Sequence, residues 1–425
     1  MIAWLLISFF VLLFLGVPIA MSLGLSAIGG ILFLGGGSTV TIAQRMFEGM
    51  NSFALLAIPL YTFAGFTMSK GGISKRLMDF CYSIVGHIYG GLAHVNVLSS
   101  MIFAGISGSA VADTAGVSGM FMPEMIRKGY SKNFTVAVTA ISSTIGIIIP
   151  PSIPMVVIAG ICGISTGKLF LGGIIPGILC GLAQMIVSYF LAKKEGVPKE
   201  PGHFTIGPVL HGLWESWPAL LMPIIIVGTI TMGIVSPTEA GVIAVVYGLF
   251  AGGIIYRELK WEDIKFAFAE TVRTSGRIFI VIGAAKLYTV MLTTAGFDKW
   301  VAKTMLGFST NPTVILIMIL LIFFIVTMFM ESIATLTLFM PILYPIAIGV
   351  GIDPIVLSVL ITVVIGIGLA TPPVGMCIYV ACDLMDTTVG EVFPTLVPFI
   401  AATFVCIALM VAFPQLILLP TYLMA

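Results

Sequence analysis

Charge is what this sequence has least of. Only 9% of its 425 residues are Asp, Glu, Lys or Arg, against 59% hydrophobic, too little polar cover for a soluble globule of this size. A net charge of +1 offers no basic surface to a polyanion, so no nucleic-acid partner is expected. The cysteines, Cys81, Cys162, Cys180, Cys377, Cys382 and Cys406, are scattered through apolar segments with no CxxC pair. That excludes a thiolate metal site and leaves buried thiols. Four histidines form no ligand pattern either; His87 and His94 can share a helix face, which fits interfacial packing. No GK[ST] lysine follows a glycine-rich loop, so ATP chemistry is not read here. The opening MIAWLLISFFVLLFLGVPIAM lacks a basic leader and a small-residue cleavage site and reads as a retained helix.

What remains is apolar. Mean hydropathy is +1.18, carried by runs long enough for helices across a hydrocarbon core of about 30 Å rather than by the short alternating segments of a barrel. The fold class is an all-α polytopic membrane protein. Spans are expected near 2–16, 18–36, 52–68, 134–163, 168–192, 214–235, 238–256, 275–295, 354–384 and 390–420. Segments 92–127 and 313–348 differ, each having two apolar arms around a polar centre, GISGSAVADT and MESIAT. These read as re-entrant hairpins, since irregular backbone at membrane depth survives only against protein or a watery cavity.

Basic residues set the orientation. Lys70, Lys75, Arg76, Arg127, Lys128, Lys132, Lys193, Lys194, Arg257, Lys260 and Lys265 fall at ends that the span count puts on one side, which is then cytoplasmic. The first hairpin opens to that side; the second, flanked by STNP and GVGIDP, opens to the other. Both chain ends then lie outside the cytoplasm. Segments 73–90 and 258–272 mix charge and apolar residues at helical spacing and are expected as arms along the membrane surface, in contact with lipid.

The chain repeats itself. Phe121-Met122-Pro123 recurs as Phe339-Met340-Pro341, an offset of 218 that pairs Asp113 with Glu331 and Thr114 with Ser332. Four residues of insertion later, at 222, Gly146, Pro150, Pro151, Ser165 and Thr166 pair with Gly368, Pro372, Pro373, Thr387 and Thr388. Copies entering from opposite faces, with interrupted helices, are the signature of a secondary transporter. The domain reading follows: 1–91 as scaffold spans and a first arm, 92–192 as a transport region, 193–312 as linker, scaffold spans and a second arm, and 313–425 as the second transport region.

The interruptions carry the chemistry. In STIGIIIPPSIP and IGIGLATPPVGM a double proline removes two backbone donors inside a long apolar segment. Carbonyls from Gly146 to Ile149 and from Gly368 to Thr371 are thereby available to a hard cation such as Na⁺, and half-helix N-termini favour an anion. At the tips Ser107, Gly108 and Ser109, and opposite them Ser332 and Thr335, supply oxygens. Asp113 and Glu331 can bind Na⁺, carry a proton or cap the following helix. Lys286 can meet a substrate carboxylate or snorkel to the interface. A channel and an intramembrane enzyme using Asp113 and Glu331 as a carboxylate pair are rival readings. The inverted repeat argues against the first, and opposed hairpins against the second.

GISGSAVADTAG, FMP followed by KGYSK, IIPPSIP, SPTEAG at 236–241 and ATPPVG, in this order, resemble the large membrane subunit of tripartite ATP-independent periplasmic (TRAP) transporters, DctM type. The resemblance covers essentially the whole chain, with Glu331 standing where many members have Asp. It implies an inner-membrane, elevator-type transporter, not an enzyme, working with a small membrane subunit and a periplasmic binding protein that delivers an organic anion. The class of anion would be a C4-dicarboxylate, sialic acid, another sugar acid or a keto acid. Because Met1 leads straight into the first span, the small subunit is expected as a separate chain. Two or more Na⁺ ions would drive uptake, with protons as the alternative. One Na⁺ site would join Ser107, Gly108 and Ser109 to Gly146, Ile149 and Pro150. The second would join Glu331, Ser332 and Thr335 to Gly366, Gly368, Thr371 and Pro372. Substrate would lie between, near Ser109, Pro151, Ser165, Thr166, Thr387 and Lys286.

Overall fold

In hydrocarbon a backbone N–H or C=O has no water to bond, so each segment must satisfy its own groups, which helices do. The computed structural model describes residues 1–34, 40–197 and 205–424, and those residues are helical with short connections. The end of the expected 18–36 span and part of the 193–312 segment lie outside the described residues. Among the described residues seven helices are long and apolar enough to cross a membrane, including Thr166–Glu195, Ile206–Thr231, Trp261–Thr294 and Val389–Ala412. The first helix, Ile2–Phe14, has 13 residues, about 20 Å of rise, and is too short to cross alone. It is held against its neighbours instead, Trp4 Nε1 donating to Ser26 O at 3.3 Å and Tyr288 Oη to Leu5 O at 2.9 Å.

Two units follow one plan. In the first, Ala57–Lys70 leads to an amphipathic arm, Ile73–Val85, then a hairpin, Gly91–Ser107 and Ala110–Arg127. A broken helix follows, Lys132–Ser142 continuing as Ser143–Ile147 and resuming as Ile153–Cys162, and Thr166–Glu195 closes the unit. In the second, Trp261–Thr294 leads to Phe297–Phe308, then the hairpin Pro312–Thr327 and Ser332–Gly349. The broken helix Pro354–Ala370 and Met376–Asp383 and the closing helix Val389–Ala412 complete it. Here the structure corrects the sequence reading. Segment 258–272 is not a separate arm; most of it is the first third of the continuous helix Trp261–Thr294, and the arm before the second hairpin is Phe297–Phe308. Arg273 and Arg277 inside that helix drew the boundary to the wrong place.

The units are inverted. Lys132 Nζ reaches Met385 O at 3.3 Å, so the start of the first broken helix meets the end of the second. Gly172, near the start of Thr166–Glu195, lies against Ile355 and Val359 at the start of the second. The two broken helices therefore run antiparallel, and they meet at their breaks, where Gly366 packs on Thr144. At the basic end Arg76 pairs with Glu258 at 2.7 Å while lying over the Tyr256 ring, and Ser131 Oγ bonds Glu195 at 3.0 Å.

Helix caps give the register of the repeat. N-cap Ser109 and N-cap Glu331 stand 222 residues apart, as do N-caps Ser131 and Asp353. The double prolines Pro150-Pro151 and Pro372-Pro373 share that offset. One register thus spans the second hairpin arm and the break, with no four-residue insertion. The FMP pair at 218 is displaced by about one helical turn, and the structural partner of Glu331 is Ser109, while that of Asp113 is Thr335. On the first arms Phe103 and Phe323, both buried, and Ser107 and Thr327, at the arm ends, correspond at 220.

The inversion makes a direct prediction. In a cysteine-free variant, a thiol introduced by Arg257→Cys should react with an impermeant maleimide only from the cytoplasmic face, and one from Thr310→Cys only from the other. Labelling of both from one face would contradict the topology.

Candidate functional site

The first tip forms because Gly108 takes φ +65°, a left-handed conformation that ends Gly91–Ser107. Ser109 then caps the second arm, accepting from Ala112 N at 3.4 Å. A Cβ on Gly108 would stand 2.7 Å from Pro151 O. This close approach lets Ile153 N donate to Gly108 O at 3.2 Å, tying the tip to the backbone just past the break. Asp113 is fully buried; its Oδ1 accepts from Ser107 Oγ, and its Oδ2 has no hydrogen-bond partner. That oxygen faces Gly146, where any Cβ would collide with it.

The break supplies further oxygens. In an unbroken helix residues 150 and 151 would donate to the carbonyls of Gly146 and Ile147, and proline cannot. The Ser152 hydroxyl takes over at Ile147 O, 2.5 Å, while accepting from Met155 N at 3.3 Å as the cap of Ile153–Cys162. Gly146 O loses its helical donor, and the α-carbon of the same residue faces the Asp113 carboxylate. Ser107, Asp113 and Gly146 therefore meet at one point, and of the residues expected for the first ion site Ser107, Gly108, Ser109 and Gly146 lie at this tip–break junction. Ile149 instead packs its side chain on Gly177.

The second tip repeats the frame with different chemistry. Val374 N, one residue before the position matching Ile153, donates to Met328 O at 2.9 Å and closes the tip onto the break as the Ile153–Gly108 bond does. Gly368 packs against Thr327, and Thr371 Oγ donates to Ile367 O at 2.7 Å. The Glu331 carboxylate is already engaged: it accepts from Ile333 N at 2.9 Å, Ala334 N at 3.3 Å and Ser332 Oγ at 2.7 Å. Thr335 Oγ donates to Glu331 O at 3.1 Å. Glu331 thus caps a helix, whereas Asp113 presents an oxygen to the break.

Of the residues expected around the substrate, Ser109 and Pro151 lie at the first tip, whereas Ser165, Thr166, Thr387 and Lys286 do not. Ser165 caps Thr166–Glu195, accepting from Lys168 N at 3.3 Å. It lies beyond the ten-residue helix Ile153–Cys162, about 15 Å from the break along the axis. Thr387 donates to Glu391 at 2.9 Å at the start of Val389–Ala412, on the opposite side. Lys286 lies against the amphipathic helix Val40–Met50, its stem over Gly49. Arg45, and to a smaller extent Lys286, hold the Glu48 carboxyl below its usual range. Lys286 therefore lies beside Val40–Met50 and not at either tip. Thr144 and Ser152 are not among the expected site residues, although both are visible as hydroxyls flanking the glycine and proline of the break; Thr327 falls opposite Ser109 at the 218 offset, and the structure pairs it with Ser107 instead.

The family model for the tripartite ATP-independent periplasmic transporter, DctM component, matches residues 6–416. This chain belongs to that family. It is 35% identical over 408 residues, 96% of this chain and 95% of the other, to the sialic acid TRAP transporter large permease protein SiaM of Vibrio cholerae. Identity is also 35% with the C4-dicarboxylate TRAP transporter large permease protein DctM of Pseudomonas aeruginosa, covering 95% of this chain and 94% of that one. It is 37% identical over 92% of its length to the isethionate TRAP transporter permease protein DctMQ of Oleidesulfovibrio alaskensis, of which it spans 62%. Among solved structures, the Alcanivorax borkumensis YdaH transporter shares the fold at TM-score 0.60 and 12% identity, covering 87% of this chain and 86% of that one. The chain is a transporter permease of the inner membrane, not an enzyme.

The tip–break junction is sterically closed, which gives a test. Gly108→Val adds a branched side chain at positive φ against Pro151 O, and Gly146→Ala pushes on Asp113. Each should lower uptake at least tenfold in membranes containing normal amounts of the protein, whereas Gly116→Ala, with open space around it, should stay within twofold.

Proposed function

We propose that this permease couples inward movement of Na⁺ to uptake of an organic carboxylate or sulfonate. Its partners are a small membrane subunit and a periplasmic protein that delivers the ligand. The observation that carries the reading is the convergence of Ser107, Asp113 with its unpartnered Oδ2, and Gly146 at a proline-interrupted helix. Hydroxyl, carboxylate and carbonyl oxygens are the donor set of a hard monovalent cation, and broken helices at the repeat interface are where secondary transporters hold coupling ions. The second tip offers hydroxyls and carbonyls from Thr327 to Thr335 and is the natural place for a second ion. Sialic acid and C4-dicarboxylate relatives support an anionic ligand.

The energetics suffice. Each Na⁺ entering across about 100 mV contributes roughly 2.3 kcal/mol, so two contribute about 4.6, some three decades of accumulation before the substrate's own charge is subtracted. In the proposed cycle the hairpins and broken helices move as one body, an elevator motion, against a scaffold that includes Ile206–Thr231 and Pro237–Phe250.

Reconstitution with both partners in liposomes tests this. Uptake should require an inward Na⁺ gradient; uptake that runs equally well without one, or on a pH gradient alone, rejects Na⁺ coupling. Asp113→Asn should lower Na⁺-driven uptake at least tenfold. Glu331→Gln keeps an acceptor for the cap and should cost no more than about threefold.

A further inference from the structure

Beneath the first tip lies a row of buried polar side chains that the tip chemistry does not use. On Lys132–Ser142 and its continuation, Thr135, Thr139, Ser142 and Gly146 fall at i, i+4, i+7 and i+11, one helical stripe. Across from it Asn96, Ser100 and Ser107 repeat that spacing on Gly91–Ser107, with Phe103 as the apolar member. Cross-links join the two: Asn96 Nδ2 donates to Thr139 Oγ at 2.7 Å, Ser142 Oγ to Asn96 Oδ1 at 3.0 Å, and Ser100 Oγ to Ser142 Oγ at 3.1 Å. Gln184 reaches in from Thr166–Glu195, Nε2 donating to Ile141 O at 3.4 Å. The row ends at Asp113 on one side. On the other it ends at Thr135, one turn from the exposed Ser131 and Lys132. Its length along the helix is about 16 Å.

Two observations separate this row from ordinary packing. Buried polar atoms within it lack partners: Thr135 Oγ1 and Gln184 Oε1, as well as Asp113 Oδ2 at its head. An unpartnered buried polar atom is costly in an apolar setting. Further, the repeat supplies its own control. At the equivalent positions of the second unit stand Leu357, Ile361 and Val364 on the broken helix, and Leu316 and Leu320 on the hairpin arm, all apolar and buried. Buried hydroxyls of that helix, Ser358 and Thr362, donate to their own helix at Pro354 O and Ser358 O; Thr139 and Ser142 also donate to theirs, at Thr135 O and Thr139 O, but are in addition cross-linked to Asn96. The second unit thus builds the same frame with apolar side chains at these positions.

We infer that the Asn96–Ser100–Thr135–Thr139–Ser142 row is a hydrated path by which the cation held at the first hairpin exchanges with the cytoplasm through the interior of the first repeat. The inference rests on the reading of that hairpin as a cation site. Fixed hydroxyl and amide oxygens replace part of the ion's water at each step, and Phe103, between Ser100 and Ser107, narrows the path just before the tip.

Silver ion, close to Na⁺ in size and trapped by thiolates, is the probe. In a variant lacking the six native cysteines, single substitutions Thr135→Cys and Ser142→Cys are placed in the row, and Leu357→Cys and Val364→Cys at the equivalent apolar positions. Ag⁺ is applied to inside-out membranes, and surviving thiols are counted with maleimide after denaturation. The row thiols should be blocked at least tenfold faster than the controls, and the thiol at 135 faster than that at 142. Equal rates in row and control overturn the path, whatever ion drives uptake; the Na⁺ dependence of native uptake tests the coupling separately. Thr139→Val keeps shape and removes the hydroxyl. It should slow Na⁺-driven uptake at least tenfold with an unchanged melting temperature, and uptake within twofold of native would also overturn the path.

Discussion

Everything in this molecule depends on where interrupted backbone finds its hydrogen bonds at membrane depth. Two helices are broken by double prolines, and an exposed peptide group in hydrocarbon costs several kcal/mol. The solution is the same in both halves: a hairpin tip accepts a bond from the backbone just past the break, Ile153 N to Gly108 O and Val374 N to Met328 O. These bonds fix how deep each hairpin enters and which residues meet the break. They also explain the glycines at the junction. Gly108 needs its left-handed φ, and Gly146 must leave room for Asp113.

Within that shared frame the halves differ in chemistry. At the first tip a serine caps the helix, which leaves Asp113, one turn further in, to turn an oxygen toward the break. At the second, the acid itself is the cap, and the position matching Asp113 is Thr335, whose hydroxyl returns to the backbone. One acid is consumed in holding a helix end and the other is not. A carboxylate that satisfies three donors has little left to offer an ion, so the two acids are unequally engaged however alike they look in sequence.

Much of this was legible in the residues. Long apolar runs, polar centres at 107–113 and 328–335 and matched double prolines gave the class, the hairpins and the breaks, because each reflects a backbone constraint that only certain residues satisfy. The register was misread because Phe-Met-Pro recurs one turn out of step. On a helix a four-residue slip leaves side chains on nearly the same face, so nothing in the hydrophobic pattern penalises it; caps, which occur once per helix, do. The second arm was misplaced because Arg273 and Arg277 interrupt hydropathy without interrupting the helix. Ser165 and Thr387 are paired hydroxyls in the repeat, yet Ser165 caps a helix and Thr387 bonds the acid of the next helix's capping box, a role that hydroxyls at helix starts commonly have.

Antiparallel broken helices have a consequence for access. Each break lies part-way along its helix, and the two touch through Thr144 and Gly366, so the oxygen-lined points of both halves sit in one central layer. From there the first hairpin leads to the basic, cytoplasmic end and the second to the opposite end. A fully symmetric pair would give an ion equal routes to both faces, which is a leak. Lining only the first route with Asn96, Thr139 and Ser142, and filling the equivalent second one with Leu316, Ile361 and Val364, breaks that equality. Under the proposed coupling, this asymmetry permits directional release of the ion without a second gate.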